Sequence, residues 1–333
     1  VVQDRQAEEA ADRIGDPTMR WPLIRYIPRS THYRFVRWAP VAAVFSAILI
    51  VGAIASLFFQ GLNLGIDFKG GVSLEIAMTR EAPLGELRTA LDQIGVHDGQ
   101  VQGFGTPNSA MVKFLPAEGE SATAASKHVE AELVKRFPDL KVTSRSEVGA
   151  KVSGELLVGG FKALGIALAL TLGYIWFRFG LSYGSGAVVA VIHDIVLVLG
   201  VLSIMKIEFS MTEIAALLTV IGYSMNEKVI TFDRLKENLR KYKTTPLRDI
   251  IDLSENERLS RTIITGTTAL LALGGTMIFG GPVLFPLVFT MVMGIIIGTY
   301  SSIYIALPLI LVWGVKRNDD DATPVRFGQA SRP

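Results

Sequence analysis

The chain of 333 residues contains no cysteine. That absence excludes a disulfide framework and any thiolate metal site, so a folded domain outside a membrane would be held by its core alone. A G-x-x-x-x-G-K-[ST] phosphate loop is also missing, and with it the usual apparatus for ATP hydrolysis. There is no H-E-x-x-H metal pair, and Gly222-Tyr223-Ser224-Met225-Asn226 is not a G-x-S-x-G nucleophile elbow. Enzymatic chemistry is therefore not expected, and no cofactor is implied. Charge is thin as well: 19% of residues are charged, 50% are hydrophobic, and the mean hydropathy of +0.39 is too apolar for a soluble protein of this size.

What the chain has instead is long apolar runs. A hydrocarbon core of ~30 Å needs ~20 helical residues, and runs of about that length lie near Trp38 to Phe59, Leu157 to Phe177, Ala187 to Met205, Met211 to Phe232, Thr262 to Phe279 and Val283 to Val315. They predict a polytopic α-helical membrane protein with six transmembrane helices, the first separated from the other five by about a hundred residues of ordinary polar sequence. The first run follows an Arg-rich segment and lacks a small-residue cleavage site, so it reads as a retained anchor and not a removable signal peptide. The chain opens on Val1, which predicts a trimmed start.

The net charge of +2 says little, because orientation follows where Lys and Arg sit. Arginines from Arg5 to Arg37 precede the first run, Arg178 lies between the second and third, a basic series from Arg234 to Arg258 lies between the fourth and fifth, and Lys316 and Arg317 follow the sixth. Six crossings put all four segments on one side, which the positive-inside rule makes cytoplasmic. The expected organisation is a cytoplasmic tail over 1–36, a first helix over 37–60, an exported domain over 61–155, a five-helix block over 156–315 with a cytoplasmic loop at 233–260, and a cytoplasmic tail over 316–333. Topology accounts for the basic segments without nucleic acid.

Within the exported insert the period changes. Val72 to Ile76 alternates as a strand, Leu84 to Ile94 has helical spacing, and Val101 to Phe104 and Ala110 to Leu115 are strands separated by Gly105, Pro107 and Asn108. Ala122 to Phe137 is a second helix stopped by Pro138, and Leu140 to Val148 a last strand. The order β-α-β-β-α-β predicts a small α+β ferredoxin-like domain, which serves equally a polypeptide-binding module or a passive spacer. His97 and His128 stand alone at polar positions and read as solvated surface.

Gly65-Ile66-Asp67-Phe68-Lys69-Gly70-Gly71 follows the first run directly. Paired glycines permit a turn that residues with a Cβ resist, and by itself the segment reads as a helix-exit turn with two interfacial charges. Placed after a first transmembrane helix and before a small exported domain, it resembles the signature of the SecD/SecF family of protein-export membrane proteins, within the RND superfamily. Five further spans without a long second insert, and Val148-Gly149-Ala150-Lys151-Val152-Ser153-Gly154-Glu155-Leu156 before the second run, are similar to the SecF branch of that family. Val191 to Leu197, containing His193 and Asp194, and Ile221 to Asn238, containing Asn226, Asp233 and Arg234, resemble its third- and fourth-helix motifs. The resemblance covers about Leu62 to Val315. It implies a subunit that couples the proton-motive force to preprotein movement together with SecD at the SecYEG channel, with YajC as a further component and SecA supplying the ATP-driven step.

Asp194 falls near the middle of the third run, where an ionised group costs ~2.5–3.5 kcal/mol and needs a partner, a wet cavity or a proton. Structural pairing and proton handling are both open for it. Consecutive helical residues point about 100° apart, so a bond between His193 and Asp194 is not to be assumed, and His193 reads as a hydrogen-bonded packing residue. Ser224, Glu227, Lys228 and Thr231 form a polar stripe on the fourth helix. Glu227 can snorkel toward the cytoplasm or pair with Lys228. By resemblance it stands where the family has an Asp in its inferred proton path, and Lys228 stands where a small hydroxyl is usual. Ser254-Glu255-Asn256-Glu257 fits a capping box that would start the fifth helix, with Arg261 two turns inside. An always-protonated guanidinium facing a carboxylate would make a proton-sensitive pair, and the resemblance gives Arg261 that role. Two rival readings stay open: half of a related proton-driven exporter of small molecules or lipids, and a non-transporting assembly subunit.

Overall fold

A computed structural model describes residues 31–96, 99–117 and 119–313. The expectations for His97, for residues 1–30 of the N-terminal tail and for the C-terminal tail lie outside these residues.

Helix α1 (Phe35–Phe59) leads through the short strand β1 (Asn63–Leu64) and a single turn, α2 (Ile66–Lys69), into the insert. The insert contains β2 (Gly71–Ala77), α3 (Leu84–Gln93), β3 (Gln100–Phe104), β4 (Thr106–Phe114), α4 (Ala122–Arg136) and β5 (Lys141–Val148). Its sheet is antiparallel, ordered β3-β4-β2-β5, with β2 at the centre paired to β4 and β5. Alternation along β2 sends Val72, Leu74 and Ile76 into one core with Leu87 and Leu91 of α3 and Val129 and Leu133 of α4. The hairpin between β3 and β4 is tighter than expected. Only Gly105, at φ 68°, makes the turn, while the carbonyls of Pro107 and Asn108 accept from Ala82 and Met78 at 2.9 Å each and draw the start of β4 into the sheet.

After the insert come α5 (Ala150–Phe179), α6 (Leu181–Ile204), β6 (Glu208–Phe209), α7 (Met211–Lys241), α8 (Leu247–Phe279), α9 (Gly281–Ser301), a π-helical segment (Ser302–Ala306) and α10 (Leu307–Trp313). Five described helices are long and apolar enough to cross a membrane: Phe35–Phe59, Lys151–Phe179, Tyr183–Ile204, Leu247–Phe279 and Gly281–Trp313. The fourth expected span, α7, is not among them, because Asn226, Glu227 and Lys228 interrupt its apolar run.

Helix ends differ most from expectation. The segment 233–260, expected as a loop, is almost wholly helical: α7 runs on to Lys241, α8 starts at Leu247, and only residues 242–246 link them. Ser254 is accordingly no N-cap; its Oγ donates back to the Ile250 carbonyl at 2.7 Å from inside α8. Hydropathy marks where a helix is apolar, not where it ends. At 33 residues α8 is ~50 Å long, well beyond a bilayer core. A capping box does occur at the start of α7, where the Glu213 side chain accepts from Ser210 N at 2.6 Å.

The contacts sort the molecule into two ends. At one end the Val36 backbone donates to Asp252 Oδ1 at 2.8 Å, and Arg178 reaches Asp233 at 3.3 Å. At the other, β1 pairs in parallel with β6, and Lys113 of β4 holds Glu208 of β6 at 2.9 and 3.0 Å. The sheet domain therefore sits on the end opposite Arg178 and the start of α8. Between the ends α7 packs tightly on α9. A Cβ on Gly294 would overlap Val220, and one on Gly298 would come within 3.2 Å of Ser224 Cβ.

Candidate functional site in the helix bundle

Two clusters of buried charge lie back to back on α7. The first centres on Asp194 of α6, whose side chain is 1% exposed. Its Oδ2 accepts from Lys228 Nζ at 2.9 Å, Ser224 Oγ at 2.5 Å and Ser301 Oγ at 2.8 Å. Its Oδ1 lies 3.0 Å from His193 Nδ1. The neighbours do bond, which their spacing along the helix left open. Lys228 is itself fully buried and spends its other contacts on Ser224 Oγ at 2.5 Å and Ser301 Oγ at 3.1 Å. A buried ion pair survives only with such complete hydrogen bonding. His193 Nε2 is buried with no partner among the described residues.

The second cluster centres on Arg258 of α8, and all three of its guanidinium nitrogens are engaged. Nε and NH2 reach Glu255 Oε2 at 3.0 and 2.8 Å. NH1 reaches Glu227 Oε2 at 3.3 Å and Thr262 Oγ1 at 2.9 Å, and NH2 reaches Ser302 Oγ at 3.0 Å. Thr262 Oγ1 in turn donates to Glu227 Oε2 at 3.0 Å. Glu227, at 1% exposure, neither snorkels nor pairs with Lys228. Residues i and i+1 leave a helix in different directions, so Glu227 faces α8 while Lys228 faces α6.

Arg261 does not meet Glu227. It is exposed, and the guanidinium facing that carboxylate belongs to Arg258. Asn226 is exposed on the outer face of α7. Asp233 and Arg234 belong to the basic end, where Arg234 binds Glu257 at 2.7 Å and Glu237 at 2.6 Å. His128 is exposed, as expected.

The Gly65 to Gly71 motif joins the first helix to α7. Asp67 Oδ2 accepts from the Met211 backbone N–H at 3.0 Å, a free donor in the first turn of α7. Phe68 is buried beside Phe209, ring centroids 5.8 Å apart. Gly70, at φ 78°, turns the chain into β2, and Gly71 must lack a Cβ because Phe114 O would lie 2.9 Å from it. Gly65 donates to Phe209 O at 2.9 Å, and a Cβ there would press on Glu208. The motif is thus a joint between three elements, more than a helix exit.

Sequence reasoning passed over Glu255, Arg258, Thr262, Ser301 and Ser302 as site residues. The signal was present in part: Glu255, Arg258 and Thr262 are spaced three and four apart, a single helical face once α8 is known to begin at Leu247. Nothing in the sequence brings Ser302 to that face or Ser301 to Asp194, because both lie where α9 gives way to the π-helical segment.

Fold and site together define a multi-pass helical membrane protein with an α+β insert after its first helix and ionisable groups locked inside its bundle. Residues 128–316 match the family described as Protein export membrane protein SecD/SecF, C-terminal, and residues 55–82 match the SecD/SecF GG Motif. The chain belongs to the SecD/SecF family. It is 39% identical to Protein translocase subunit SecF of Rhodobacter capsulatus, over 90% of this chain and 95% of that protein. To the SecF subunit of Rickettsia bellii it is 35% identical, over 89% of this chain and 98% of that one. The crystal structure of SecDF, a translocon-associated membrane protein from Thermus thermophilus, superposes with a TM-score of 0.74 at 30% identity and covers 92% of this chain. The chain spans 41% of the length of that SecDF chain.

Proposed function

We propose that the chain is a SecF subunit that works with a SecD partner to draw preproteins across the bacterial cytoplasmic membrane, driven by protons moving through the α7 and α8 site. In this reading α7 is the sixth crossing. Its charges need not meet lipid, because they face α6, α8 and α9. The basic end, with both termini, is cytoplasmic. The sheet domain is exported, and its strand order β3-β4-β2-β5 supports the ferredoxin-like reading. Residues 37–60, 61–155 and 156–315 remain its natural divisions. The outward stripe Thr212, Ala215, Thr219, Gly222 and Asn226 of α7 offers small and polar side chains for close packing against SecD. SecYEG, YajC and SecA are the further partners this role requires; SecA would supply ATP hydrolysis, for which this chain has no phosphate loop.

The observation that carries the proposal is the Glu227 to Arg258 pair, buried and shared between two helices. Ionised Glu227 draws α7 to α8, and protonation weakens that attraction. Breaking a buried pair costs about 3–5 kcal/mol, and a charge crossing 100 mV yields ~2.3 kcal/mol, with ~1.36 kcal/mol more per unit of pH difference. One or two protons therefore suffice to switch it. Movement of α7 would reach the exported side through Asp67, bonded to its first turn. Asp194, fully bonded to Lys228, acts in this scheme as a structural anchor.

The test uses Glu227→Gln and Arg258→Met separately, with proton-gradient-dependent preprotein export measured in vesicles beside assembly with SecD. Export should fall at least tenfold in each; assembly should persist in Glu227→Gln, while Arg258→Met, which also removes the cation facing Glu255, should lose stability as well. Undiminished export would remove the relay, and loss of assembly in both would favour a non-transporting assembly subunit, a reading the full hydrogen bonding of both clusters also suits.

A further inference from the structure

Beside the Glu227 to Arg258 pair lies a second carboxyl, that of Glu255, whose side chain is wholly buried. Its Oε2 accepts from Arg258 Nε and lies 2.8 Å from Arg258 NH2, while Oε1 is sealed from solvent with no hydrogen-bond partner among the described residues. A carboxylate with one bare oxygen in a dry site forfeits the solvation of much of its charge, and protonation removes that penalty.

The charges around Arg258 lead to the same place. Glu227 from α7 and Glu255 from α8 both face one guanidinium. Being always cationic, it balances one of them and leaves the other in surplus. Among the described residues, no neighbouring element supplies a second free cation. Asp252, one turn earlier on α8, adds only an acid, and it is bonded to the Val36 backbone. Ser302 and Tyr304 of the π-helical segment and Thr262 of α8 are neutral groups. Lys228 is held by Asp194, whose charge it matches, and His193 lies against the other oxygen of Asp194.

We infer that Glu255 is a proton-binding carboxyl that alternates with Glu227 around the shared Arg258. In the arrangement described, Glu227 is ionised and Glu255 carries the proton. When Glu227 takes up a proton and releases Arg258, the guanidinium is left to Glu255, whose O–H bond breaks and gives up its proton. One proton enters and one leaves, so the charge around Arg258 stays constant through the exchange. The purpose of the exchange rests on the proton-driven reading above; the protonation state itself does not.

Infrared spectroscopy of the purified full chain in lipid nanodiscs at neutral pH reads that state without any gradient, partner or export. A carboxylic-acid C=O band that shifts in D2O is expected in the wild type and lost in Glu255→Gln. The paired variants Glu255→Asp and Glu227→Asp, each grown with carbon-13 aspartate, then locate the proton. The isotope label should shift the band in Glu255→Asp and leave it in place in Glu227→Asp. A wild type without the band, a band that survives Glu255→Gln, or a label shift in Glu227→Asp overturns the assignment. Undiminished gradient-dependent export in Glu227→Gln with the expected spectra would overturn only the functional reading.

Discussion

Lys228 sits where no solvent reaches it, and its ammonium is matched by a single carboxylate, Asp194, with two serine hydroxyls completing the shell. Removing one partner from such a pair is worse than removing both, because the remaining charge keeps its desolvation cost. Asp194→Asn should therefore lose about 3–5 kcal/mol of stability, while Asp194→Leu combined with Lys228→Met should stay within about 1.5 kcal/mol of the parent. Thermal unfolding in detergent across the double-mutant cycle measures the difference. The two arginines of α8 make a second contrast. Arg258→Met removes a hydrogen bond from each of Glu227, Glu255, Thr262 and Ser302 and should be strongly destabilising, whereas Arg261→Met, on an exposed side chain, should change stability by no more than about 0.5 kcal/mol. At this scale the sequence was legible for what must be buried and illegible for what each group meets. Ser224, Glu227, Lys228 and Thr231 share the inward side of α7 as their spacing predicts. Which neighbour each one touches depends on how α6 and α8 are set against α7, and no periodicity carries that.

Helix contacts in a membrane depend on how closely backbones approach, and α7 approaches α9 where Gly294 and Gly298 leave room. A methyl group at 294 meets Val220 with nowhere to go, so Gly294→Ala should cost about 1–3 kcal/mol as an overpacked contact. Gly173→Ala, with nothing within 4 Å of its built Cβ, should be neutral or slightly stabilising. Melting temperatures of the two variants in one detergent separate packing from helix propensity. Element identity was readable throughout the insert because strand and helix periods differ, and β2, α3 and α4 lie within a residue or two of their expected ends. The bundle was less readable for two physical reasons. A helix that leaves the bilayer continues on amphipathic sequence, so α8 starts well before its apolar run. The last run, which looks like one span, is broken by the π-helical segment at Ser302–Ala306, just before Pro308, which supplies no backbone N–H to the helix. That break aims Ser301 at Asp194 and Ser302 at Arg258, so the irregular turn is what joins α9 to both charge clusters.

The whole molecule is held together across its two ends by α7, and the described ties between bundle and sheet are concentrated near its start. Asp67 bonds its first turn, β1 pairs with β6 just before it, and Lys113 reaches from the sheet to Glu208. That last pair is partly shielded, with 18% and 16% of the two side chains exposed, and its bidentate geometry fixes the sheet against the bundle more firmly than a loose surface pair would. If protonation at Glu227 moves α7, this pair must either travel with the sheet or break. Lys113→Glu should uncouple the sheet and lower proton-driven export several-fold, and the exchange Lys113→Glu with Glu208→Lys should restore much of it. The absence of cysteine allows a sharper version. Cysteines at 113 and 208 are then the only thiols, and a short bismaleimide bridge between them locks the contact without touching the buried charges. Export that continues undiminished in the bridged protein means the sheet moves together with the start of α7 as one body. Export that stops on bridging, while the same double variant without cross-linker stays active, means the pair opens in each cycle. In both cases the readout is the rate of gradient-dependent export at equal protein, and it decides whether force passes to the sheet domain through Lys113 and Glu208 or through the Asp67 joint alone.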